Sequence, residues 1–290
     1  MTKRQITIAP IAGALGAEIG NVDLSALDDE SFAQIHQAFL EHLVLFFRDQ
    51  NLSIEAQRAF GERFAALYVH PYVTPLPGYP DVIQIVKEPE DKKNFGGSWH
   101  ADLTYLENPT GGAVLYALEV PREGGDTLFA NMYRAYAALS PGLQRLLKTL
   151  VAVHDDRKTS LYEQDKIRAM GSRDVPVDDS GKPLGTRAEH PLIRTHPETG
   201  QDALFVNSVN TTGLKDMSDE ESHPLLDYLY NHLTRPEFTC RFRWAAGSVA
   251  LWDNRCTQHL ALNDYQGHRR VMRRVLFTGD RPYSDGSNGP

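Results

Sequence analysis

The sequence predicts an α+β protein with a double-stranded β-helix (jelly-roll, cupin-like) core, outer helices and active-site loops. Three observations predict it. Many short apolar runs are bounded by Gly, Pro and Asn, and four of them follow one another at the C-terminal end. A few segments carry apolar residues at helical spacing and need a sheet to cover. There is no internal repeat and no linker, so residues 1–290 read as a single domain, with 283–290 expected as a disordered tail.

Taken in order, Gln5 to Ile8 reads as a first strand, and the stretch to Ala17 as strand and turn. Phe32, Ile35, Phe39 and Leu43 mark a helix over Asp29 to Leu43, followed by the buried strand Val44 to Phe47. Ser53 caps a second helix that turns Phe60, Phe64 and Leu67 inward. Asp81 to Val86 is a strand, and the polar stretch Lys87 to Gly97 reads as a mobile loop. Strands at Gly112 to Val120 and Asp126 to Phe129 flank the turn Glu123-Gly124-Gly125, and helices follow at Met132 to Leu139 and Pro141 to Leu150. Gly171 to Glu189 is rich in Gly, Pro, Asp and Ser and reads as a long loop of the kind that covers a site. Strands Leu192 to Thr195 and Ala203 to Asn207 come next, then a helix from Ser218 to Leu233. The closing strands are Glu237 to Trp244, Ser248 to Trp252, Thr257 to Leu262 and Arg269 to Thr278.

Composition narrows the function. The chain has 290 residues, 41% of them hydrophobic, and a formal net charge of -8, enough apolar material for a large core. The acidic balance and the absence of Lys/Arg runs exclude nucleic acid as an expected partner. No apolar run approaches the ~20 residues that span a bilayer, so no membrane partner is expected. Cys240 and Cys256 are too few for a disulfide framework and have no zinc-site spacing; they read as reduced core thiols of a cytoplasmic protein.

Two stretches carry chemistry. In Ser98-Trp99-His100-Ala101-Asp102-Leu103-Thr104-Tyr105, His100 and Asp102 are two residues apart, which puts both on one face of an extended chain and within reach of one metal ion. Two imidazoles and a carboxylate on one face of an iron are the ligand set of non-haem Fe(II) oxygenases. By itself the triplet also fits a surface His beside a solvated Asp. Far along the chain, Trp252-Asp253-Asn254-Arg255 leads to His259, and the last strand splits by period two. Arg270, Met272, Arg274 and Leu276 share one face; Arg269, Val271, Arg273, Val275 and Phe277 share the other, where Val271, Val275 and Phe277 would pack under the outer helices. Arg270 and Arg274 then point into the barrel. A buried guanidinium needs an anion, and the local sequence shows no carboxylate for either. They bind anionic ligands, pair with acidic residues distant in sequence, or lie on a solvated edge, and spacing alone does not choose among these.

Together these stretches resemble the taurine dioxygenase/2,4-D dioxygenase family of Fe(II)- and 2-oxoglutarate-dependent oxygenases, from the first strand to Arg281-Pro282. The resemblance rests on Trp99 to Tyr105, Gly124-Gly125-Asp126-Thr127-Leu128, Ala203 to Asn207, Trp252 to Arg255 with His259, and Arg270 with Arg274. It implies that His100, Asp102 and His259 ligate Fe(II), that Arg270 and Thr127 hold the co-substrate 2-oxoglutarate, and that Arg274 and His70 hold a substrate anion. It implies oxidation of a substrate C–H by O2, with release of succinate and CO2. The wall of the substrate pocket departs from the taurine-specific pattern. Phe95-Gly96-Gly97-Ser98 stands where an Asn is expected, Val209-Asn210 and Ser160 or Leu161 stand where aromatics are expected, and Tyr72 directly follows Pro71. Tyr72, Val209 and Asn210 are therefore further substrate-binding candidates, for a small organic anion other than taurine.

Three readings follow: hydroxylation of a small sulfonate or carboxylate; oxidative cleavage of an aryloxyalkanoate ether or alkyl sulfate ester by the same chemistry; and a non-catalytic cupin-type binding protein. The complete ligand set beside a co-substrate anchor speaks against the last, and Asp102 against a halogenase. A homo-oligomer is expected.

Overall fold

A computed structural model describes residues 6–70, 73–156 and 186–285. The major sheet starts with the antiparallel hairpin β1 (Thr7–Pro10) and β2 (Ala17–Gly20). Strand β2 runs parallel to β3 (Val44–Phe47), and antiparallel pairs then link β3, β14 (Val249–Asp253), β6 (Gly112–Glu119) and β16 (Arg270–Phe277). Strand β16 also pairs with β4 (Leu67–Tyr68) and β5 (Val82–Lys87). Facing it is a minor sheet, β13 (Thr239–Phe242), β7 (Thr127–Asn131) and β15 (Thr257–Ala261). A third sheet holds β12 (Thr211–Leu214), β8 (Val151–Asp155) and β9 (Arg187–Pro191), and β10 (Ile193–Thr195) pairs with β11 (Asp202–Leu204). Two facing antiparallel sheets with helices outside make the jelly roll that the sequence predicts.

The core has two compartments, one on each face of the major sheet. Phe46, Leu115, Phe129, Phe242, Trp252, Met272 and Leu276 fill the space between the sheets, where Phe46 stacks on Phe242 at 3.9 Å. Leu45, Phe47, Val114, Val275 and Phe277 alternate to the opposite face. There they meet α1 (Asp29–His42) and α2 (Ile54–Glu62), which bury Ile35, Phe39 and Phe60. Asp28 caps α1 by accepting from Ser31 N–H, and the helix ends where Leu43 takes φ 65°. Helices α3 (Met132–Ala137) and α4 (Pro141–Leu147) follow β7, and α5 (Asp219–Leu233) opens with a capping box of Ser218 and Glu221.

Several expectations need correction. Phe64 lies beyond the end of α2, and Leu67 belongs to β4. Glu237 belongs to a short 3-10 turn, and β13 begins only at Thr239. The strand expected over Ala203 to Asn207 stops at Leu204. The expected loop Gly171 to Glu189 ends in strand, since β9 starts at Arg187; residues 171–185 lie outside the described residues. The start of the expected tail is tied down: Thr195 N–H donates to Tyr283 O and Asp285 N–H to Thr195 Oγ1, while 286–290 lie outside the described residues. The Lys87 to Gly97 stretch is pinned to the end of β15. Asn94 Nδ2 donates to Ala261 O and Leu262 O, Ala261 N–H to Gly96 O, and Asn263 Nδ2 to Lys92 O.

Arg273, placed by period two on the helix-facing side, is buried there instead of reaching solvent. Its Nε donates to Gln57 Oε1 at 2.6 Å and its Nη2 to Leu52 O at 2.7 Å. Gln57 also ties β6 to β16 by donating to Val114 O and Arg273 O. Replacing Gln57 by Ala strands a buried guanidinium and is expected to destabilise the fold by roughly 3 kcal/mol, read by chemical denaturation. A loss within experimental error would show that Arg273 finds other partners.

The third sheet buries two imidazoles, His154 and His190. Burial, then the neighbouring His190, pushes His154 down to about 3, and burial also lowers His190. In the unfolded chain both protonate near ~6.5. Below that pH the unfolded state binds more protons, so stability falls as pH drops from ~6.5 toward 3. The melting temperature of the metal-free protein is expected to decline between pH 7 and 5, with a shallower slope in His154→Gln. A melting temperature independent of pH over that range would contradict this.

Candidate active site

Strand β15 pairs with β7 on one edge and offers its other edge to the Trp99–Tyr105 segment. His259 N–H donates to His100 O at 2.8 Å, and His100 N–H returns to His259 O at 3.1 Å. The two rings thereby sit 4.2 Å apart. The extended geometry expected for His100 and Asp102 stops at this one bridge. After Ala101 the chain turns, with Leu103 at φ 54°, and the turn swings Asp102 back under the rings. His100 Nε2 lies 3.8 Å from Asp102 Oδ1, and His259 Nε2 lies 4.0 Å from Oδ2. His100, Asp102 and His259 thus offer three donor atoms within 4.8 Å of one another.

These donors are set for a metal. His100 Nδ1 faces the carbonyl of Ser98 at 2.7 Å, so that nitrogen carries the proton and Nε2 keeps its lone pair. Buried Asp102 Oδ2 has no hydrogen-bond partner among the described residues. Burial, with His100 and Arg274 nearby, pushes His259 down to about 3 and keeps it a neutral ligand. Burial would raise Asp102, but Arg274, His259 and His100 outweigh it and hold the carboxyl down at about 2. Two neutral nitrogens and one carboxylate, open on one side, suit Fe(II). Trp252 packs beside the cluster, its ring 4.8 Å from that of His259.

Arg270, Arg274, Thr127, His100 and His259 line one cavity, with Phe95, Ile85, Leu115 and Met272 as its apolar wall. Arg270 is 7% exposed, and its Nε and Nη2 have no hydrogen-bond partner among the described residues. That edge of the guanidinium is the one with which Arg58 grips Asp81 and Arg255 grips Asp253. Arg270 therefore presents an open two-pronged carboxylate site into the cavity. Trp244 Nε1–H donates to Thr127 Oγ1 at 2.9 Å, which leaves the threonine hydroxyl proton for another acceptor. Neither Trp244 nor Tyr265, whose phenol bonds Arg270, stood out in the sequence. Trp244 is the last residue of the expected strand Glu237 to Trp244, and Tyr265 lies in the turn ahead of Arg269.

Arg274 does find a carboxylate: its Nη1 donates to Asp102 Oδ1 at 3.1 Å, a partner invisible in the local sequence. His70 is buried, and Val73 N–H donates to its Nδ1 at 3.1 Å, which places the ring proton on Nε2. Burial first, then Arg274, lowers His70 to about 3, so it serves as a neutral donor. Val209 and Asn210 lie outside the cavity lining. Their N–H groups donate to Asn207 Oδ1, and Asn210 faces Thr104, while Ser208 Oγ touches Trp99 O. Tyr72, Ser160 and Leu161 lie outside the described residues.

The family model described as taurine catabolism dioxygenase TauD, TfdA family matches residues 7–276. An alkylsulfatase of Acinetobacter baylyi is 35% identical, over 96% of this chain and 86% of its own. An alpha-ketoglutarate-dependent sulfate ester dioxygenase of Pseudomonas putida is 34% identical, over 96% and 91%. The crystal structure of a taurine dioxygenase from Burkholderia xenovorans superposes with TM-score 0.80 at 34% identity, covering 97% of this chain and 94% of that one. The chain belongs to the TauD/TfdA family of dioxygenases, enzymes that depend on Fe(II) and 2-oxoglutarate.

Proposed function

We propose that this enzyme oxidises the carbon next to a sulfate ester or sulfonate group of a small organic anion. His100, Asp102 and His259 hold Fe(II), Arg270 and Thr127 hold the distal carboxylate of 2-oxoglutarate, and Arg274 and His70 hold the anionic end of the substrate. The observation that carries this reading is the open Nε/Nη2 edge of Arg270, facing the cavity that the two imidazoles also line. A sulfate ester is favoured over a carboxylate by the alkylsulfatase and the sulfate ester dioxygenase among the relatives. Hydroxylation of the carbon bearing the sulfate oxygen gives an unstable hemiacetal sulfate. It collapses to an aldehyde and hydrogen sulfate; O2 is the oxidant, one of its atoms entering the hydroxyl and the other the succinate formed from 2-oxoglutarate with loss of CO2.

Bound Fe(II) supplies the oxygen activation. The chain supplies placement. Arg270 fixes one end of the co-substrate, and the unused Nε of Arg274 and the Nε2–H of His70 fix the sulfate end. Phe95, Ile85, Leu115 and Met272 keep the cavity dry. The Val209–Asn210 turn, which adjoins Trp99 through Ser208, serves as the outer wall of the substrate end, and Tyr72 stays a substrate-binding candidate from the sequence. We place the protein in the cytoplasm, where the buried thiols of Cys240 and Cys256 stay reduced. No helix among the described residues is long and apolar enough to cross a membrane. Exposed Ile8 and Ile11 support self-association into a homo-oligomer.

Arg270→Ala is expected to raise the 2-oxoglutarate requirement by a loss of roughly 2–5 kcal/mol, with Arg270→Lys a partial rescue at best. An unchanged 2-oxoglutarate titration would remove this role. In a panel scored by succinate release, alkyl sulfates are expected to exceed taurine and aryloxyacids, and Arg274→Ala to lose the substrate-stimulated turnover while 2-oxoglutarate still binds. Taurine as the fastest substrate would overturn the sulfate ester reading and leave the metal and co-substrate roles standing.

A further inference from the structure

We propose that Asn254 is a positioning residue for the metal site: its amide holds the backbone of Asp102 in register with the strand that carries His259. The proposal rests on the reading of His100, Asp102 and His259 as metal ligands. His100 is registered to β15 by the backbone bridge with His259. Asp102 has no such bridge, because the chain turns away from β15 after Ala101. A side chain takes over. Asn254 Oδ1 accepts from Asp102 N–H at 2.7 Å, and Nδ2 donates to Asp102 O at 2.8 Å and to Thr110 O at 3.0 Å. The amide thereby imitates the pairing that an adjacent strand residue would give.

The chemistry of the contacts requires an amide at this position. One end faces an N–H and the other faces two carbonyl oxygens, so only a group with both an acceptor and a donor satisfies them. An aspartate here would turn a carboxylate oxygen toward Asp102 O and Thr110 O. Asn254 itself sits on a rigid mount, the turn between β14 and β15. Its N–H donates to Gly111 O at 3.0 Å. Next to it, Asp253 accepts from Arg255 N, Nε and Nη2 and from His196 Nε2, all within 3.0 Å. Thr257 Oγ1 closes the turn onto Asp253 O at 2.6 Å. The same turn feeds β15 and His259, so one rigid element positions two ligands.

The far end of the Asp102 turn is held separately. Thr104 Oγ1 meets His154 Nδ1 at 2.9 Å and Asn207 Nδ2 at 3.0 Å. Between the two anchors Leu103 holds φ 54°, a conformation that a leucine does not choose on its own. Without Asn254, both polar groups of the Asp102 backbone lose their partners, and the peptide that sets the direction of the carboxylate is free to rotate. Arg274, whose Nη1 donates to Asp102 Oδ1, then remains to aim it.

The test is a titration of the metal-free enzyme with Mn(II), followed by the EPR signal of the free ion, alongside thermal melting. Asn254→Ala is expected to weaken Mn(II) binding on the order of 10–100-fold. Asn254→Asp, which keeps the volume and loses the donor, is expected to do no better, and bound Mn(II) to show an altered EPR splitting in both. Asn131→Ala removes a buried amide that likewise bonds backbone at both ends, to Ala14 O and Arg134 N; it is expected to lower the melting temperature and leave Mn(II) affinity unchanged. Asn254 variants that melt lower but bind Mn(II) like the parent would overturn the positioning role. Loss of the fold in both Asn254 variants, with Asn131→Ala still folded, would assign Asn254 to folding and overturn it too. His259→Ala separates the two levels of inference. If it binds Mn(II) normally, the ligand assignment fails; if it loses Mn(II) while the Asn254 variants keep it, only the positioning role fails.

Discussion

Everything at the site depends on backbone registration to one strand. β15 is bonded to β7 along one edge, and the His100–His259 bridge takes its other edge. A metal site with donors 4–5 Å apart tolerates little drift, because a ligand displaced by an ångström no longer reaches the ion. Side chains on a flexible loop do not hold that precision. Pairing the loop to a strand does, since a slip of one residue would turn His100 to the wrong face. Strand β14 is in turn paired between β3 and β6, and the turn from it into β15 is locked by Asp253, Arg255 and His196. The rigidity of the jelly roll thus passes to the donors through hydrogen bonds to main chain, and the side chains that face the cavity stay free for ligands.

The sequence made the strands, and the faces of the last one, largely legible. Period two on Arg270 to Phe277 separates Met272 and Leu276 from Val275 and Phe277, and these do lie in opposite compartments. What stayed hidden was decided by partners far away in the chain. Arg273 is buried because Gln57, 216 residues distant, and the carbonyls at the start of α2 accept its protons. Arg274 finds its carboxylate 172 residues away. Leu103 turns the chain at φ 54°, against the preference of a leucine, beside an Asp102 backbone bonded to Asn254 from 152 residues off, so an extended reading of His100 to Asp102 was the natural one. Strands β8 and β9 escaped because their buried positions include His154 and His190, whose polarity interrupts the apolar pattern of a strand, and β12 because its four residues, Thr211–Leu214, hold one large apolar side chain. The ligand identities were readable only through family resemblance, since a His-x-Asp triplet is common and its distant His is not adjacent in sequence.

Charge links the pieces of the site. Two buried guanidiniums, Arg270 and Arg274, line the cavity together with the imidazoles of His100 and His259, Arg274 reaches the buried carboxylate of Asp102, and burial drives His259, and His70 near Arg274, neutral. The protein alone therefore leaves a surplus positive charge in a low-dielectric space, which costs stability until an anion arrives. A divalent metal enlarges the surplus. A dianionic co-substrate removes part of it and a monoanionic substrate removes the rest, so the loaded site becomes neutral only when all three are present. A neutral substrate of the same shape would leave one guanidinium charge uncompensated, and a dianion would overshoot. On this argument the proposed preference for a sulfate monoester or sulfonate has its ground in the charge inventory of the cavity as much as in its shape, and Arg274, bonded to Asp102, is the guanidinium proposed to meet the substrate anion.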